Sequence, residues 1–177
     1  MQLTRRSVIK ASFAALLCGA APSFAYASLP ASRRLYFHNT HTGERLKTVY
    51  WEKGAYIPGA LHDIAHVLRD HRNGEVKPID TSLLDLIELL HRRMRSSRPF
   101  EVISGYRSPS SNAMLYANTE GVAYNSLHMY GRAIDIRLPG RATSSLRDAA
   151  WNLQLGGVGY YPHSDFVHVD TGTVRRW

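Results

Sequence analysis

The chain has 177 residues, 44% of them hydrophobic, and carries 22 Lys and Arg against 14 Asp and Glu, for a formal net charge of +8. One cysteine, Cys18, excludes an internal disulfide, so the fold must hold together without one, above all by packing. The basic excess is dispersed rather than gathered in a stripe, and a balance of this size suits an anionic polymer, either nucleic acid or the acidic murein and teichoic polymers of an envelope.

The first segment, Thr4-Arg5-Arg6-Ser7-Val8-Ile9-Lys10, sets a twin arginine ahead of an apolar run from Ala11 to Ala21, and Ala25-Tyr26-Ala27 offers small residues for cleavage. Residues 1–27 therefore read as a Tat-type signal peptide, exported to the periplasm by the Tat machinery. A run of about a dozen apolar residues is shorter than the roughly 20 a membrane span needs, so no stable span is expected after processing. Cys18 follows Leu16-Leu17, a poor context for lipidation. Residues 28–177 then form one domain, with nineteen basic and fourteen acidic residues and a net charge of +5. A domain of this kind is expected as a monomer without nucleic-acid partners.

Leu35-Tyr36-Phe37-His38-Asn39, a turn at Thr42-Gly43 and Arg45 to Tyr50 predict a β-hairpin. Leu61, Ile64, Ala65 and Leu68 recur at helical spacing until Asn73-Gly74. Thr81 or Ser82 is expected to cap a second helix, whose stripe of Leu83, Leu86, Ile87, Leu90 and Met94 runs on until Pro99 closes the segment. Phe100 to Ser104 predicts a buried strand, and Ser108-Pro109 starts a helix reaching about Asn118. A loop to Asn125 precedes a strand over 132–137, a helix over about 143–153 and strands over 157–161 and 166–169. The fold class is α+β, a mainly antiparallel sheet with flanking helices.

Ser126-Leu127-His128-Met129-Tyr130-Gly131-Arg132-Ala133-Ile134-Asp135 is answered further on by Asp165-Phe166-Val167-His168. Two imidazoles and a carboxylate supply three N and O donors, which leave one tetrahedral position of a catalytic zinc open. Gly131 lets the chain turn between a loop histidine and a strand carboxylate, and Ala133, on the same side as Asp135, leaves room for metal or substrate. His62 and His66 are also four residues apart, but Asp63 follows His62 where a zinc protease helix has Glu, so they read as a helix surface. No nucleophile elbow, phosphate loop or dinucleotide glycine pattern occurs.

These residues resemble the zinc D-Ala-D-Ala metallopeptidase superfamily, the Hedgehog-type peptidoglycan peptidases, with its SxHxxGxAxD pattern and an acid three residues before the last histidine. Asn39-Thr40-His41-Thr42-Gly43-Glu44 and Phe166-Val167-His168-Val169-Asp170-Thr171-Gly172 resemble its YcbK-like (MepK-like) murein endopeptidase branch in particular. The resemblance covers essentially all of residues 28–177.

It implies that His128, Asp135 and His168 bind Zn2+, that Asp165 is the general base, and that Arg107 in Ser104-Gly105-Tyr106-Arg107-Ser108 steadies an oxyanion. An offset of three puts Asp165 and His168 on opposite faces of a regular strand, so a bulge or turn must intervene. Asp170 needs no such distortion and is the rival base, or else a partner that orients a ligand histidine. Ser126 either binds substrate backbone or satisfies its own loop, and His163 either lines the cleft or lies exposed. The implied activity is hydrolysis of peptidoglycan peptide stems by an exported zinc endopeptidase. The alternatives are a murein carboxypeptidase and a Hedgehog-like domain that binds cell wall without cutting it.

Overall fold

The computed structural model describes residues 31–177, so the expected signal peptide at 1–27 lies outside the described residues. Among these, no helix is long and apolar enough to cross a membrane. The hairpin forms as β1 (Ser32–Asn39) and β2 (Arg45–Glu52), extended by the short β3 (Ala55–Tyr56). Helices α1 (Pro58–Val67) and α2 (Thr81–Met94) follow, then β4 (Phe100–Ser104) and α3 (Pro109–Asn118). A short 3-10 helix (Leu127–Tyr130) leads into β5 (Ala133–Arg137), α4 (Thr143–Trp151), β6 (Gly157–Tyr161), β7 (Phe166–Asp170) and β8 (Arg175–Arg176).

All eight strands join one sheet in the order β3-β2-β1-β4-β5-β7-β6-β8. The sheet is mixed, where the sequence pattern suggested a mainly antiparallel one: β1 pairs parallel with β4, and β6 parallel with β8. The reason is the connection. Between β2 and β4 the chain runs through α1 and α2, and a helical crossover of that length can return it in the direction of β1, which a tight turn cannot.

Apolar side chains alternate along the strands and fill one face. Phe37 of β1, Phe100 and Val102 of β4, Ile134 and Ile136 of β5 and Val167 and Val169 of β7 are all buried against Ile64 of α1, Leu83, Leu84, Ile87 and Leu90 of α2 and Leu146 of α4. This burial is the main favourable term holding helices to sheet. The opposite face of β5 and β7 carries Asp135 and His168, which the two-residue period of a strand sets apart from the core.

Thr81 and Ser82 lie inside α2, and its cap is Asp80, whose Oδ1 accepts the Ser82 N–H at 2.8 Å. Asp80 is the better cap because its charged oxygen also meets the positive end of the helix dipole. Asp80→Ala is expected to lower stability by about 1 kcal/mol, read as a drop of a few degrees in the thermal midpoint. An unchanged midpoint would show that the cap contributes nothing.

Candidate metal centre

The centre begins with the register of two strands. Asp135 on β5 lies directly across from His168 on β7, so their side chains meet on the face away from the helices. His128 arrives from the 3-10 helix, whose first N–H groups are capped by Ser126: its hydroxyl accepts the His128 N–H at 3.4 Å. The helix ends at Gly131, with φ of 64°, where a Cβ would sit 2.5 Å from the Pro78 carbonyl oxygen. Only glycine combines that backbone with that approach, and the turn delivers the chain into β5.

The three side chains are buried and their ligating atoms close on one point. His168 Nδ1 stands 2.8 Å from Asp135 Oδ1, and His128 Nε2 stands 3.3 Å from both His168 Nδ1 and Asp135 Oδ2. Among the described residues this is the one cluster of three or more His, Cys, Asp or Glu able to hold a metal ion.

The outer hydrogen bonds set the state of each ring. His128 Nδ1 lies 2.7 Å from the Gly105 carbonyl oxygen, which can only accept, so Nδ1 carries the hydrogen and Nε2 presents a lone pair. His168 Nε2 donates to Asp170 Oδ2 at 3.0 Å, which leaves Nδ1 facing Asp135. Two lone pairs and a carboxylate then face one another with no protein donor between them. A shared cation resolves this, and the donors of a tetrahedral zinc, each at about 2.0–2.1 Å from the metal, stand about 3.3 Å apart. The residues fit the ion.

Without metal, a proton takes that place. Burial pushes the His168 pKa down, but its hydrogen bonds to Asp135 and Asp170 outweigh burial and raise it to about 9. Burial would raise Asp135, yet the two imidazoles that face it, His128 first and then His168, hold its carboxylate well below the usual range. Asp170 is likewise held low against burial, by His168, Arg175 and the N–H groups of Gly172 and Gly157.

Arg107 stands beside the cluster, with Nη2 3.8 Å from Asp135 Oδ2. Ser104 reaches the same face because a bulge between Val102 and Ser104 shifts β4 by one residue against β5, and its hydroxyl lies 3.5 Å from Arg107 Nη2. Asn112 of α3 accepts from Arg107 Nη1 at 3.3 Å, and its amide donates to the Ala123 and Tyr124 carbonyls, tying the 119–125 loop to the site. Arg107 Nε is buried and has no hydrogen-bond partner among the described residues, and burial lowers the guanidinium pKa against the pull of Asp135.

Together these groups line a cavity of about 320 Å³, whose walls also include Glu120, Tyr161, Phe166, Arg175 and Trp177. His128, Asp135, His168, Arg107, Ser126 and Asp170 all border it. Asp165 and His163, expected as base and cleft residue, do not. His163 is exposed. Asp165 sits in the turn before β7 with φ of 51°, its side chain 61% exposed and bonded to Thr143 at the start of α4 and to Arg137, 3.6 Å away. The offset of three explains it: a turn does precede His168, but it sends the carboxylate toward the α4 end of the sheet. Asp170 is fully buried and accepts from His168, Gly157, Gly172 and Arg175, so it orients a ring and has no free oxygen to serve as a base. Asn112, Gly105, Tyr161 and Trp177 were not legible as site residues, because each reaches the centre through a contact between distant segments. The sequence signal nearest to them was the SGYRS element itself.

Metal uptake should displace the His168 proton. At pH 7 calorimetry in buffers of different ionisation enthalpy should show about one proton released per metal bound, and affinity should climb about tenfold per pH unit from pH 7 toward 9, then level off. Proton-neutral binding would contradict the assignment. Asp170→Asn is expected to weaken metal affinity about 10- to 100-fold, measured by competition with a chelator.

Comparison with known proteins places this geometry in context. A family model described as peptidoglycan L,D-endopeptidase MepK matches residues 27–177. Over 156 residues the chain is 42% identical to the peptidoglycan L,D-endopeptidase MepK of Escherichia coli strain K12, covering 88% of this chain and 86% of that one. It is 40% identical over 154 residues to the probable peptidoglycan L,D-endopeptidase MepK of Haemophilus influenzae, covering 86% and 83%. A zinc D-Ala-D-Ala carboxypeptidase of Streptomyces albus G is 35% identical over 89 residues, 49% of this chain and 33% of that protein. The chain belongs to the peptidoglycan L,D-endopeptidase MepK family.

Proposed function

We propose that this member of the family is an exported zinc metallopeptidase that hydrolyses peptide cross-links of peptidoglycan, acting as an endopeptidase. The observation that carries the reading is the buried His128, Asp135 and His168 cluster, poised for a cation and opening into a cavity, in a chain 42% identical to a peptidoglycan endopeptidase. The stretch shared with a zinc D-Ala-D-Ala carboxypeptidase supports zinc as the metal and a fold of the Hedgehog and D-Ala-D-Ala peptidase type. Residues 1–27 are assigned as a Tat-type signal peptide that brings residues 28–177 to the periplasm, where the peptidoglycan lies. The domain is taken to act there as a monomer.

In this reading His128, Asp135 and His168 hold the zinc. When bound, the ion supplies a Lewis acid and a nucleophilic water at neutral pH. The protein's own groups do the rest. Gly105 and Asp170 hold the two imidazoles in the ligating orientation, so neither ring has to turn for the metal to bind. Arg107, kept in place by Ser104 and Asn112, points fixed positive charge at the cavity, where a donor can steady negative charge forming on a scissile carbonyl oxygen. Ser126 serves the site by capping the turn that carries His128. Asp165 stands outside the cavity and is not given the role of base.

The relatives' name points to the bond between an L and a D centre, such as two linked diaminopimelates. The test is digestion of muropeptide dimers by zinc-loaded protein, with products identified by mass. Dimers joined through two diaminopimelates should yield monomers at least about tenfold faster than those joined through D-Ala, a difference of about 1.4 kcal/mol in the barrier. Monomers from neither dimer would sink the peptidase reading. Release of only a terminal D-Ala would replace it with a carboxypeptidase.

Substitution separates the carboxylates. Asp135→Ala should lose both zinc and turnover. Asp165→Ala should keep zinc and turnover within about threefold, since exposed residues away from a site have small effects. A hundredfold loss of kcat with zinc retained would restore Asp165 as the base.

A further inference from the structure

The wall of the cavity opposite Arg107 is built by two aromatic residues. In the pairing of β6 with β7, Gly159 lies across from His168 and Tyr161 across from Phe166, so Tyr161 shares the metal face with His168. The Trp177 indole occupies the space above Gly159, where a Cβ would lie 2.7 Å from the ring, and its centroid is 5.3 Å from that of His168. Its backbone is held beside β6 by hydrogen bonds from Tyr160 N–H and to the Val158 carbonyl.

Trp177 Nε1 donates to the Tyr161 hydroxyl oxygen at 2.8 Å. The Tyr161 ring is fixed from its other side by Phe166, with centroids 4.5 Å apart and planes 18° from parallel. An indole N–H can only donate, so the Tyr161 oxygen is the acceptor and its own hydrogen must be used elsewhere. No protein acceptor takes that hydrogen among the described residues, and both side chains line the cavity. In the sheet, β5 and β7 carry Asp135 and His168; Arg107 follows β4 on one side and Tyr161 lies on β6 on the other.

We infer that Tyr161 is a catalytic residue that donates a hydrogen bond to the scissile carbonyl oxygen as negative charge forms there, and that Trp177 is its positioning residue. The inference rests on the peptidase reading above. A phenol held by an indole donor and a stacked ring is oriented before substrate arrives, and a pre-oriented donor acts on the transition state more than on bound substrate. Gly159 is required for the arrangement, because any larger side chain displaces the indole.

The test uses zinc-loaded protein and a cross-linked muropeptide dimer. Tyr161→Phe should lower kcat about a hundredfold, with KM and zinc content within about twofold of the unaltered protein. Trp177→Phe keeps an aromatic ring but removes the N–H, and should lower kcat about tenfold; Gly159→Ala should act in the same direction. In the Tyr161→Phe background, Trp177→Phe should cost nothing further, since the two residues act as one unit.

A Tyr161→Phe enzyme with kcat within twofold of the unaltered protein, or with only KM altered, overturns the catalytic role. An additive double variant overturns the positioning role. Affinity for a phosphinate-linked pseudodipeptide, whose tetrahedral oxygens imitate the oxyanion, should fall in Tyr161→Phe in parallel with kcat/KM. That affinity is readable even if the unaltered protein cuts no dimer, in which case the peptidase reading fails by itself and an unchanged affinity would sink Tyr161 separately.

Discussion

Three electron-rich atoms meet at a buried point, and much of the structure around them exists to keep that so. His128 is pinned by the Gly105 carbonyl and His168 by Asp170, so each ring turns a bare nitrogen toward Asp135. Such a meeting costs free energy until something positive occupies it, because each group has left water and found only another acceptor. A proton on His168 satisfies it in the metal-free protein, and a divalent cation satisfies it in the loaded one. Metal affinity, the proton balance of metal uptake and the geometry of the centre are thus consequences of one constraint.

The constraint reaches outward through the sheet. Asp170 can hold His168 only because its other lone pairs are met by Gly157, Gly172 and Arg175, which gathers the start of β6, the end of β7 and β8 around one carboxylate. Gly105 can offer its carbonyl only because the chain passes so close to Leu68 that a Cβ would meet the Leu68 oxygen at 2.4 Å. The helical layer behind the sheet fixes β5 and β7 by apolar packing, and the polar layer in front aims their outward side chains. One face supplies stability and the other spends part of it on a cluster of buried polar groups, as functional sites commonly do.

The charges of the cavity suit the chemistry proposed for it. Arg107 enters desolvated and partly unpartnered, and Tyr161 brings an uncommitted hydroxyl from the other side. A peptide carbonyl lying between them, above the metal cluster, would find its developing negative charge met by donors already in place. That no free carboxylate of the expected pair faces the cavity places more of the transition-state stabilisation on these donors and on the metal.

The cluster of His128, Asp135 and His168 was legible in the chain because its spacing carries the chemistry: a loop histidine, a turn glycine and a strand carboxylate within ten residues, answered by a histidine in an apolar strand. The helices and most strands were legible for the same local reason, since periodicity and caps are properties of neighbours. Asp165 lies outside the cavity, which the sequence could not show because an offset along a strand does not say which way a turn will throw a side chain; its positive φ and the nearby Arg137 decide that. The parallel pairing of β1 with β4, the bulge that brings Ser104 to Arg107, and the seat of Trp177 on Gly159 all join segments far apart in the chain. The sequence by itself determined which atoms could bind a metal and which faces would be apolar. Only the tertiary structure decided the outer partners that set each ring's proton, because a hydrogen bond between distant residues leaves no pattern in the residues on either side of it.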